Sequence, residues 1–500
     1  MSAVVSTGVL ITILVTLSSH GAFTANADIV NKKIDRTIDV STQLVKVTCR
    51  YQVENNGKDP LTTYTVQFDP TSVNRLAYIS ASVEKSPVTI SKQAAGDSKV
   101  FNVNLGEKAI AAGSVGTIDV EAVFTQLLTP FPAEISQSEK QLVLYSGNHY
   151  VDTPYLTKTQ TTKVKLPARS SVESFSKLKP AAQSADVITY GPYDNIPGGS
   201  HSKMEVHFEN NSPFLTVTRL ERTIEISHWA SVISVTEDID IRHSGAQLKG
   251  SFSRYEYQRE SGSGASSVKS LKTKLPRSAF DVYYRDEIGN ISTSNMRTTS
   301  SNVVVDLRPR FPLFGGWKTH YILGYSVPAS DYLFNDGNQL ILRMPFTSHI
   351  YDNMAIEDAT VKIVLPEGAS DVKLRFPFSV TREKDQVMKS YLDTFGRTVI
   401  VLKKSNLVEN HIQDFEVHYS YNRLLMLQEP LLIVGALFLL CFTIVVYVRL
   451  DFNLTKNPFK DVSSKVSLLL EAILNHQDKR ATLYGQYDSA TARYKVCLLS

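Results

Sequence analysis

The chain has 500 residues, which is too long for a single domain and predicts two or three. A hydrophobic content of 42% and a charged content of 20% are typical of folded domains with a core and argue against extensive disorder. The net charge of +4 comes from 53 basic and 49 acidic residues. This even balance argues against direct nucleic-acid binding, which needs a clustered basic face.

The first 27 residues have the pattern of a secretory signal peptide. Residues 8–17, GVLITILVTL, form an apolar core of the usual length, and residues 25–27, ANA, form an A-x-A cleavage site. The sequence therefore predicts cleavage between Ala27 and Asp28. No basic residue precedes the apolar core, which departs from the usual pattern. A buried N-terminal strand or a membrane anchor is the alternative.

The region that follows is rich in short runs in which apolar and polar residues alternate. Clear examples lie at residues 45–53, 233–241 and 361–365, and β-branched residues are frequent in them. A period of two with such residues predicts half-buried β-strands. The sequence therefore predicts a mainly β fold built of sandwich-like domains.

Three short segments recur in the same order in the two halves of this region, and the first match aligns Arg36 with Arg222. Together they predict two tandem lumenal β domains, at residues 28–218 and 219–428. Chance similarity between strands of like composition is the alternative. The matched pairs are IDRTIDVS (34–41) with LERTIEIS (220–227), PFP (130–132) with RFP (310–312), and VKLP (164–167) with VKIVLP (361–366).

Residues 431–448, LLIVGALFLLCFTIVVYV, carry no charge. As a helix they would be about 27 Å long, enough to cross the hydrocarbon core of a bilayer. Arg449 and several lysines follow, and this basic excess places the C-terminal side in the cytosol. The sequence thus predicts a single-pass type I protein with a transmembrane helix at 429–449. A buried core helix is the alternative.

Residues 450–500 are predicted to form a short helical cytosolic tail. Asp461 or Ser463 would cap a first amphipathic helix, and residues 481–496 would form a second. The last four residues, CLLS, fit the C-a-a-X pattern and make Cys497 a candidate for farnesylation. Four-residue patterns also occur by chance, and a transmembrane protein has little need of the extra anchor.

The sequence offers no catalytic motif and predicts neither a cofactor nor a resident metal. HExxH, G-x-S-x-G, a P-loop and G-x-G-x-x-G are all missing. Asp238 and Asp240 alternate along a predicted strand, where they would either hold a metal against a pyrophosphate or form a solvated face. The histidines lack companions at metal-ligand spacing. A membrane-anchored hydrolase or transferase therefore remains only as an alternative hypothesis.

Two sequons lie in the predicted lumenal region. Asn290, in Asn-Ile-Ser within a polar stretch, is a good N-glycosylation acceptor. Asn210, in Asn-Asn-Ser followed by Pro213, is a doubtful one. Cys49 is the only cysteine on the lumenal side of the predicted topology, so no intrachain disulfide framework is expected.

Residues 308–321, RPRFPLFGGWKTHY, form the densest stretch of the chain. Its two prolines bias the preceding residues toward extended geometry, and Gly315 and Gly316 then allow a reversal. Trp317 and Tyr321 would bury the strand that returns. The stretch is therefore predicted to be a structural corner with an added contact surface.

Several segments resemble the ribophorin I family, and the resemblance covers roughly residues 28–495. It implies a non-catalytic subunit of the endoplasmic reticulum oligosaccharyltransferase, which transfers a preassembled glycan from dolichol pyrophosphate to Asn-x-Ser/Thr of nascent chains. The carrying segments are SEKQLVLYSGNHY (138–150), ENNSPFLTVT (209–218), SHW (227–229), FSRYEYQR (252–259), DVYYRDEIGN (281–290), RPRFPLFGGWKTHYI (308–322), LDTFGR (392–397), MLQEPLL (426–432) and YVRLDF (447–452).

The resemblance also implies partners and a location. The partners would be other transferase subunits, including a catalytic subunit that carries a WWDYG motif, together with nascent polypeptide, the translocon, the ribosome and the lipid bilayer. This sequence lacks WWDYG. Family members continue past the second cytosolic helix, which puts ribosome docking in doubt for this chain. A single-pass β-sandwich receptor or a lumenal client-binding chaperone is the alternative function.

Overall fold

The computed structural model describes residues 28–92, 100–259, 264–337, 339–389, 396–450 and 458–497. The predicted signal peptide, with Ala27, lies outside these ranges, and Asp28 is the first described residue. The chain is mainly β, with several sheets and one long apolar helix, as predicted. It divides into a unit that ends at Met426 and a second unit that starts at Leu427.

Residues 29–209 form the first lobe. Its short α-helix is α1 (Pro70–Val73), and a 3-10 turn lies at Gly106–Lys108. Its strands are β1 (Ile29–Asp39), β2 (Val45–Asn55), β3 (Thr63–Gln67), β4 (Leu76–Val83), β5 (Ser86–Lys92), β6 (Val100–Asn104), β7 (Val115–Phe124), β8 (Leu128–Pro130), β9 (Glu134–Ile135), β10 (Leu142–Asn148), β11 (Leu156–Lys165), β12 (Val172–Phe175), β13 (Ala181–Ser184), β14 (Val187–Ile196) and β15 (Lys203–Glu209).

Two sheets face each other in the first lobe. One has ten strands in the order β13-β14-β11-β1-β2-β7-β4-β5-β6-β3, and the other has four in the order β12-β15-β10-β8. Alternating residues such as Ile38, Val164 and Phe208 meet between them and form one core. A second core forms where the far strands of the large sheet fold back, so that Tyr64 of β3 packs against Tyr51 of β2.

Residues 215–420 form the second lobe. Its short helices are α2 (Arg254–Arg259) and α3 (Ala329–Tyr332), and a 3-10 turn lies at Glu409–His411. Its strands are β16 (Leu215–Ser227), β17 (Val232–His243), β18 (Gln247–Leu248), β19 (Leu271–Pro276), β20 (Phe280–Arg285), β21 (Asn295–Thr298), β22 (Asn302–Leu307), β23 (Lys318–Pro328), β24 (Leu333–Asp336), β25 (Gln339–Pro345), β26 (Ala355–Val364), β27 (Ser370–Arg375), β28 (Thr381–Arg382), β29 (Gln386–Met388), β30 (Arg397–Val408) and β31 (Asp414–Ser420).

The second lobe is also layered. Its large sheet has the order β20-β23-β17-β16-β26-β30-β28, with β29 also paired to β30. Two smaller sheets, β24-β25-β31-β27 and β19-β22-β21, pack against it. The common core includes Ile224, Tyr321, Phe346 and Phe415, all of which are fully buried.

Equivalent strands in the two lobes carry the sequence repeat. β1 pairs antiparallel with β2 and parallel with β11, and β16 pairs in the same way with β17 and β26. Ile38 lies beside Val164 in the first lobe, and Ile224 lies beside Ile363 in the second. The matched Leu-Pro segments 166–167 and 365–366 therefore follow at the same register.

The shortest match of the repeat is wrong. β7 lies next to β2 in the order β11-β1-β2-β7, and its counterpart β23 lies next to β17 in the order β26-β16-β17-β23. The PFP segment at 130–132 follows β7, whereas the RFP segment at 310–312 precedes β23. A three-residue match has too little information to fix a position in a fold. The predicted domain boundary between residues 218 and 219 falls inside β16. The division into two separate domains stays a prediction.

The two lobes meet where β16 and β26 begin, which we call the junction end of the second lobe. Apolar contacts there join Leu44 and Val123 to Ala355 and Val408. Two residues of β9 also pair with two of β18 across the lobes. Among the hydrogen bonds are Gln43 Nε2 to Asn353 O (2.7 Å) and Thr125 Oγ1 to Asn406 Oδ1 (2.7 Å).

The second unit contains the long helices α4 (Gln428–Arg449) and α5 (Pro458–Cys497). α4 is the one helix in the described part of the chain that is long and apolar enough to span a membrane. α5 is a single helix of 40 residues, so the prediction of a separate helix at 481–496 is wrong. No proline interrupts α5 after Pro458, and the single Gly485 costs only about 1 kcal/mol in a helix interior. Cys497, the prenylation candidate, is the last residue of α5, and residues 498–500 lie outside the described part.

Candidate functional site

A groove of about 650 Å³ opens beside the start of β23, and part of the dense 308–321 stretch forms its wall. Phe311, Trp317 and Tyr284 give it an aromatic lining, and Phe311 is 64% exposed. Asp240 and Arg310 are among the charged groups at its edge. Aromatic side chains and arginine are enriched at protein contact surfaces.

The corner that builds this wall depends on two glycines. Gly316 has φ +83°, and a Cβ at Gly315 would overlap the carbonyl oxygen of Ala246. Only glycine allows this close approach followed by a reversal. Trp317 then packs against Phe314, with ring centroids 5.4 Å apart, and β23 begins at the next residue. The predicted corner is therefore confirmed.

The groove also exposes an open sheet edge. β20 pairs with β23 only at residues 322–326, so residues 318–321 have no strand on that side within the described part of the chain. An open edge presents backbone N–H and C=O groups that another chain can pair with. The groove thus combines backbone hydrogen-bonding groups with apolar surface, as sites that bind extended polypeptides do.

Arg310 fixes the loop on the opposite side of the groove. Its guanidinium donates to the carboxylate of Asp286 and, at 3.3 Å, to the carbonyl oxygen of Gly289. The hydrogen bonds from Arg310 to the carboxylate lower the pKa of Asp286. The ion pair is solvent-accessible, so it positions the loop more than it stabilises the fold.

Asp238 and Asp240, the alternative metal ligands, lie on the outer face of β17. His320 Nε2 is 2.9 Å from Asp238 Oδ1, and Arg219 Nη1 is 3.9 Å from Asp240 Oδ2. Both carboxylates are partly exposed, and each already has a basic side chain beside it. This arrangement favours the solvated-face interpretation over a metal site.

Sequence reasoning missed a cluster of ionisable groups at the junction end. His349 Nε2 lies 3.1 Å from Asp352 Oδ1 and 3.5 Å from Glu409 Oε1. In the described part of the chain this is the one set of three groups close enough to share a metal ion. However, Lys274 Nζ lies 3.0 Å from Asp352 Oδ1 and 3.2 Å from His349 Nε2. The ammonium group already occupies the space between Asp352 and His349 and supplies a positive charge there.

The cluster therefore works as an ion-pair network that supports the junction. The hydrogen bond from His349 lowers the pKa of the Glu409 carboxyl. Glu409 Oε1 accepts from the backbone N–H of Asn353 at 2.6 Å, and Asn353 O accepts from Gln43 of the first lobe. No sequence signal could reveal the cluster, because His349 and Glu409 are sixty residues apart in unrelated loops.

The repeat places a buried arginine at the same position in each lobe. Arg222 is 1% exposed and forms a salt bridge with the fully buried Glu237. Tyr325 Oη lies 3.3 Å from Arg222 Nη2, and Ser348 Oγ donates to Glu237 Oε1 at 2.5 Å. Both charged side chains of this pair are therefore removed from solvent.

Among the described residues, no carboxylate forms a salt bridge with Arg36. Its guanidinium donates to the carbonyl oxygens of Asn148 and His149, both at 2.7 Å, and of Tyr150 at 3.2 Å. Thr162 Oγ1 accepts a further bond at 3.2 Å. The same strand position therefore holds its charge with backbone dipoles in one lobe and with a carboxylate in the other.

The two sequons differ in exposure. Asn290 and Ser292 are both exposed, at the end of the loop that Arg310 holds. Asn210 is 1% exposed, and its amide donates to Val40 O at 3.3 Å while its oxygen accepts from Ser212 Oγ at 2.5 Å. Cys49 is buried, and burial raises the pKa of its thiol.

Comparison with solved structures gives only weak similarity. A yeast LTA4 hydrolase bound to bestatin matches with a TM-score of 0.25 and 11% identity, covering 39% of this chain and 31% of that one. An M1 zinc metallopeptidase from Deinococcus radiodurans matches with a TM-score of 0.24 and 13% identity, covering 40% of this chain and 48% of that one. At these TM-scores the likeness carries no argument.

Comparison with sequences is far more specific. A Caenorhabditis elegans protein, dolichyl-diphosphooligosaccharide–protein glycosyltransferase subunit 1, is 39% identical over 466 residues, which cover 92% of this chain and 79% of the relative. Subunit 1B of the same enzyme from Arabidopsis thaliana is 40% identical over 465 residues, covering 90% and 99%. The family model described as Ribophorin I matches residues 29–448, which include both lobes and nearly all of α4. The chain belongs to the ribophorin I family.

Proposed function

We propose that this chain is a non-catalytic subunit of the oligosaccharyltransferase complex, which transfers a preassembled glycan from dolichol pyrophosphate to asparagine in protein N-glycosylation. The carrying observation is the similarity along almost the whole chain to relatives named as subunit 1 of that glycosyltransferase. Membership of the family adds independent support, since its model extends across both lobes.

In this proposal the protein resides in the endoplasmic reticulum membrane with a type I topology. α4 forms the single span, the two lobes are lumenal, and α5 is cytosolic. The apolar length of α4 and the basic residues after it support this orientation. The exposed Asn290 would then be glycosylated, and cleavage would release the chain at Asp28.

The proposed role in the complex is to scaffold rather than to catalyse. Three acidic groups in or beside the groove already lie against basic side chains: Asp238 against His320, Asp240 against Arg219 and Asp286 against Arg310. Side chains held in this way position loops and are poorly suited to proton transfer or metal binding. The transfer chemistry would belong to a separate catalytic subunit.

The groove is the contact surface that we assign to another subunit of the complex. Its open edge at residues 318–321 and the exposed ring of Phe311 would accept an extended segment of the partner. Contacts with nascent polypeptide, the translocon or the ribosome would be additional to this one.

Purification of the transferase from cells that make this chain tests membership. We expect the chain to copurify with glycan-transfer activity, and its depletion to lower occupancy of Asn-x-Ser/Thr sites in reporter proteins. An active complex that lacks the chain, with unchanged occupancy after depletion, would refute the proposal. Residence of a tagged copy at the cell surface would favour a receptor instead.

A matched pair of variants tests the groove. Phe311→Ser removes a ring that is 64% exposed in the groove, and Phe131→Ser removes one that is 62% exposed in the first lobe. We expect Phe311→Ser to reduce recovery of the other subunits and Phe131→Ser to leave it unchanged. Equal recovery with both variants would show that the groove is not the contact surface.

A further inference from the structure

The end of the second lobe opposite the junction carries several exposed apolar side chains. We call it the exit end, since β16, β26 and β31 all finish there and the chain then continues toward α4. The tip of the β16–β17 hairpin presents Trp229, which is 58% exposed. Val387, Met388 and Leu424 are also exposed at this end.

Only a few residues of chain separate this end from the apolar helix. Leu425 packs against Gly368 of the exit end, and α4 begins only three residues later, at Gln428. Three residues span at most about 11 Å. Three further residues reach Leu431, where the uncharged run begins, and add only about 4.5 Å along a helix. The uncharged run therefore begins only about six residues after Leu425.

The hairpin tip is tied to the same connection. The ring of His228 lies against that of Tyr421 at an interplanar angle of 33°, with centroids 4.3 Å apart, and His228 Nε2 lies 3.3 Å from Tyr419 Oη. Trp229, the next residue, is therefore held beside the segment that leads into α4. The first lobe packs at the junction end, so it leaves this surface open.

We propose that the exit end rests on the lumenal surface of the bilayer, with Trp229 inserted among the lipid headgroups. The proposal rests on the proposed topology, in which α4 spans the membrane. Tryptophan is enriched at membrane–water interfaces because its ring is apolar and its N–H still finds a polar partner. The other three apolar side chains would meet the same layer.

This contact would fix the height of the groove above the membrane. β17 runs from Val232 beside the exit end to His243, whose backbone N–H donates to Trp317 O. Eleven steps along a strand span about 36 Å. Trp317 and the groove beside it would therefore lie far from the lipid, at the level of the junction.

The two tryptophans make a direct test possible, because they are the only ones in the chain. Trp229 lies beside the start of β17, and Trp317 lies beside its end. The full-length protein is reconstituted in phosphatidylcholine vesicles with and without lipids that carry a spin label near the headgroup. Trp317→Phe leaves Trp229 as the only emitter, and Trp229→Phe leaves Trp317. We expect the spin label to quench emission from Trp229 and to leave that of Trp317 unchanged.

Membrane integration is measured separately by resistance to alkaline extraction. An integrated protein in which Trp229 is quenched by an aqueous quencher but not by labelled lipid would overturn the membrane contact and leave the proposed topology intact. Failure to integrate would instead contradict the topology. If Trp317→Phe disturbs folding, the difference between the unaltered chain and Trp229→Phe still isolates the emission of Trp229.

Discussion

Replacement of Glu237 by glutamine is expected to destabilise the second lobe strongly. The substitution keeps the shape of the side chain but removes the charge that faces the buried Arg222. At a separation of about 4 Å and an effective dielectric constant of about 20, the lost attraction is about 4 kcal/mol. Removal of one partner of a buried pair typically costs about 3–5 kcal/mol, which agrees. For a lobe of roughly 200 residues, this corresponds to a fall in melting temperature on the order of 10 °C.

The assay is thermal unfolding of the full-length chain in detergent, followed by tryptophan emission. Both tryptophans lie in the second lobe, so the signal reports on that lobe alone. Glu416→Gln is the matched control, since Glu416 pairs with Arg343 in the same lobe but with half of the arginine side chain exposed. We expect the control to cost less than about 1 kcal/mol.

The double variant Arg222→Met with Glu237→Leu removes both charges of the buried pair. Apolar replacement of both partners of a buried pair is often neutral, because it removes the desolvation cost together with the attraction. Within the described part of the chain, Arg222 Nε and Glu237 Oε2 have no hydrogen-bond partner, so the native pair is incompletely satisfied. We expect the double variant to regain most of the stability lost in Glu237→Gln. If Glu237→Gln costs no more than Glu416→Gln, the buried-charge argument is wrong.

Three further predictions follow from other sites. Burial lowers the pKa of His411 to about 4, so the free energy of unfolding should fall by up to about 3 kcal/mol as pH drops from about 6.5 to about 4. His411→Phe should reduce this pH dependence, measured by denaturant titrations at several pH values. Asn290→Gln should remove one glycan in a gel-shift assay with glycosidase, whereas Asn210→Gln should leave the pattern unchanged. Gly315→Ala should prevent accumulation of folded protein, measured by protease resistance, because its Cβ would overlap Ala246 O; normal resistance would contradict the proposed corner.

The sequence predicted features that depend on local chemistry. Alternation of apolar and polar residues gave the strands, and an uncharged run of 18 residues gave α4. The pair Gly315 and Gly316 gave the corner, since only glycine fits there. Each of these features is determined by neighbours in the chain, which is why a single sequence sufficed to predict it.

Features that depend on distant residues were not predictable in this way. The network of His349 and Glu409 and the contact of Leu44 with Ala355 join segments that share no pattern. The break predicted before Ala481 was wrong for a different reason. No residue before Ala481 prevents a helix from continuing, and α5 runs through this position without interruption.

The two buried arginines occupy equivalent positions in the repeat, but their charges are compensated by different groups. In both lobes the strand places an arginine on the inward face, between isoleucine or leucine neighbours, where its charge must be satisfied. Three backbone carbonyl oxygens accept hydrogen bonds from Arg36, and a side-chain substitution at those residues does not remove them. Arg222 instead takes its counter-charge from Glu237, a single side chain. In the second lobe one side chain therefore compensates the buried arginine charge, whereas in the first lobe the main chain does so. The stability of the second lobe is consequently more sensitive to substitution of Glu237.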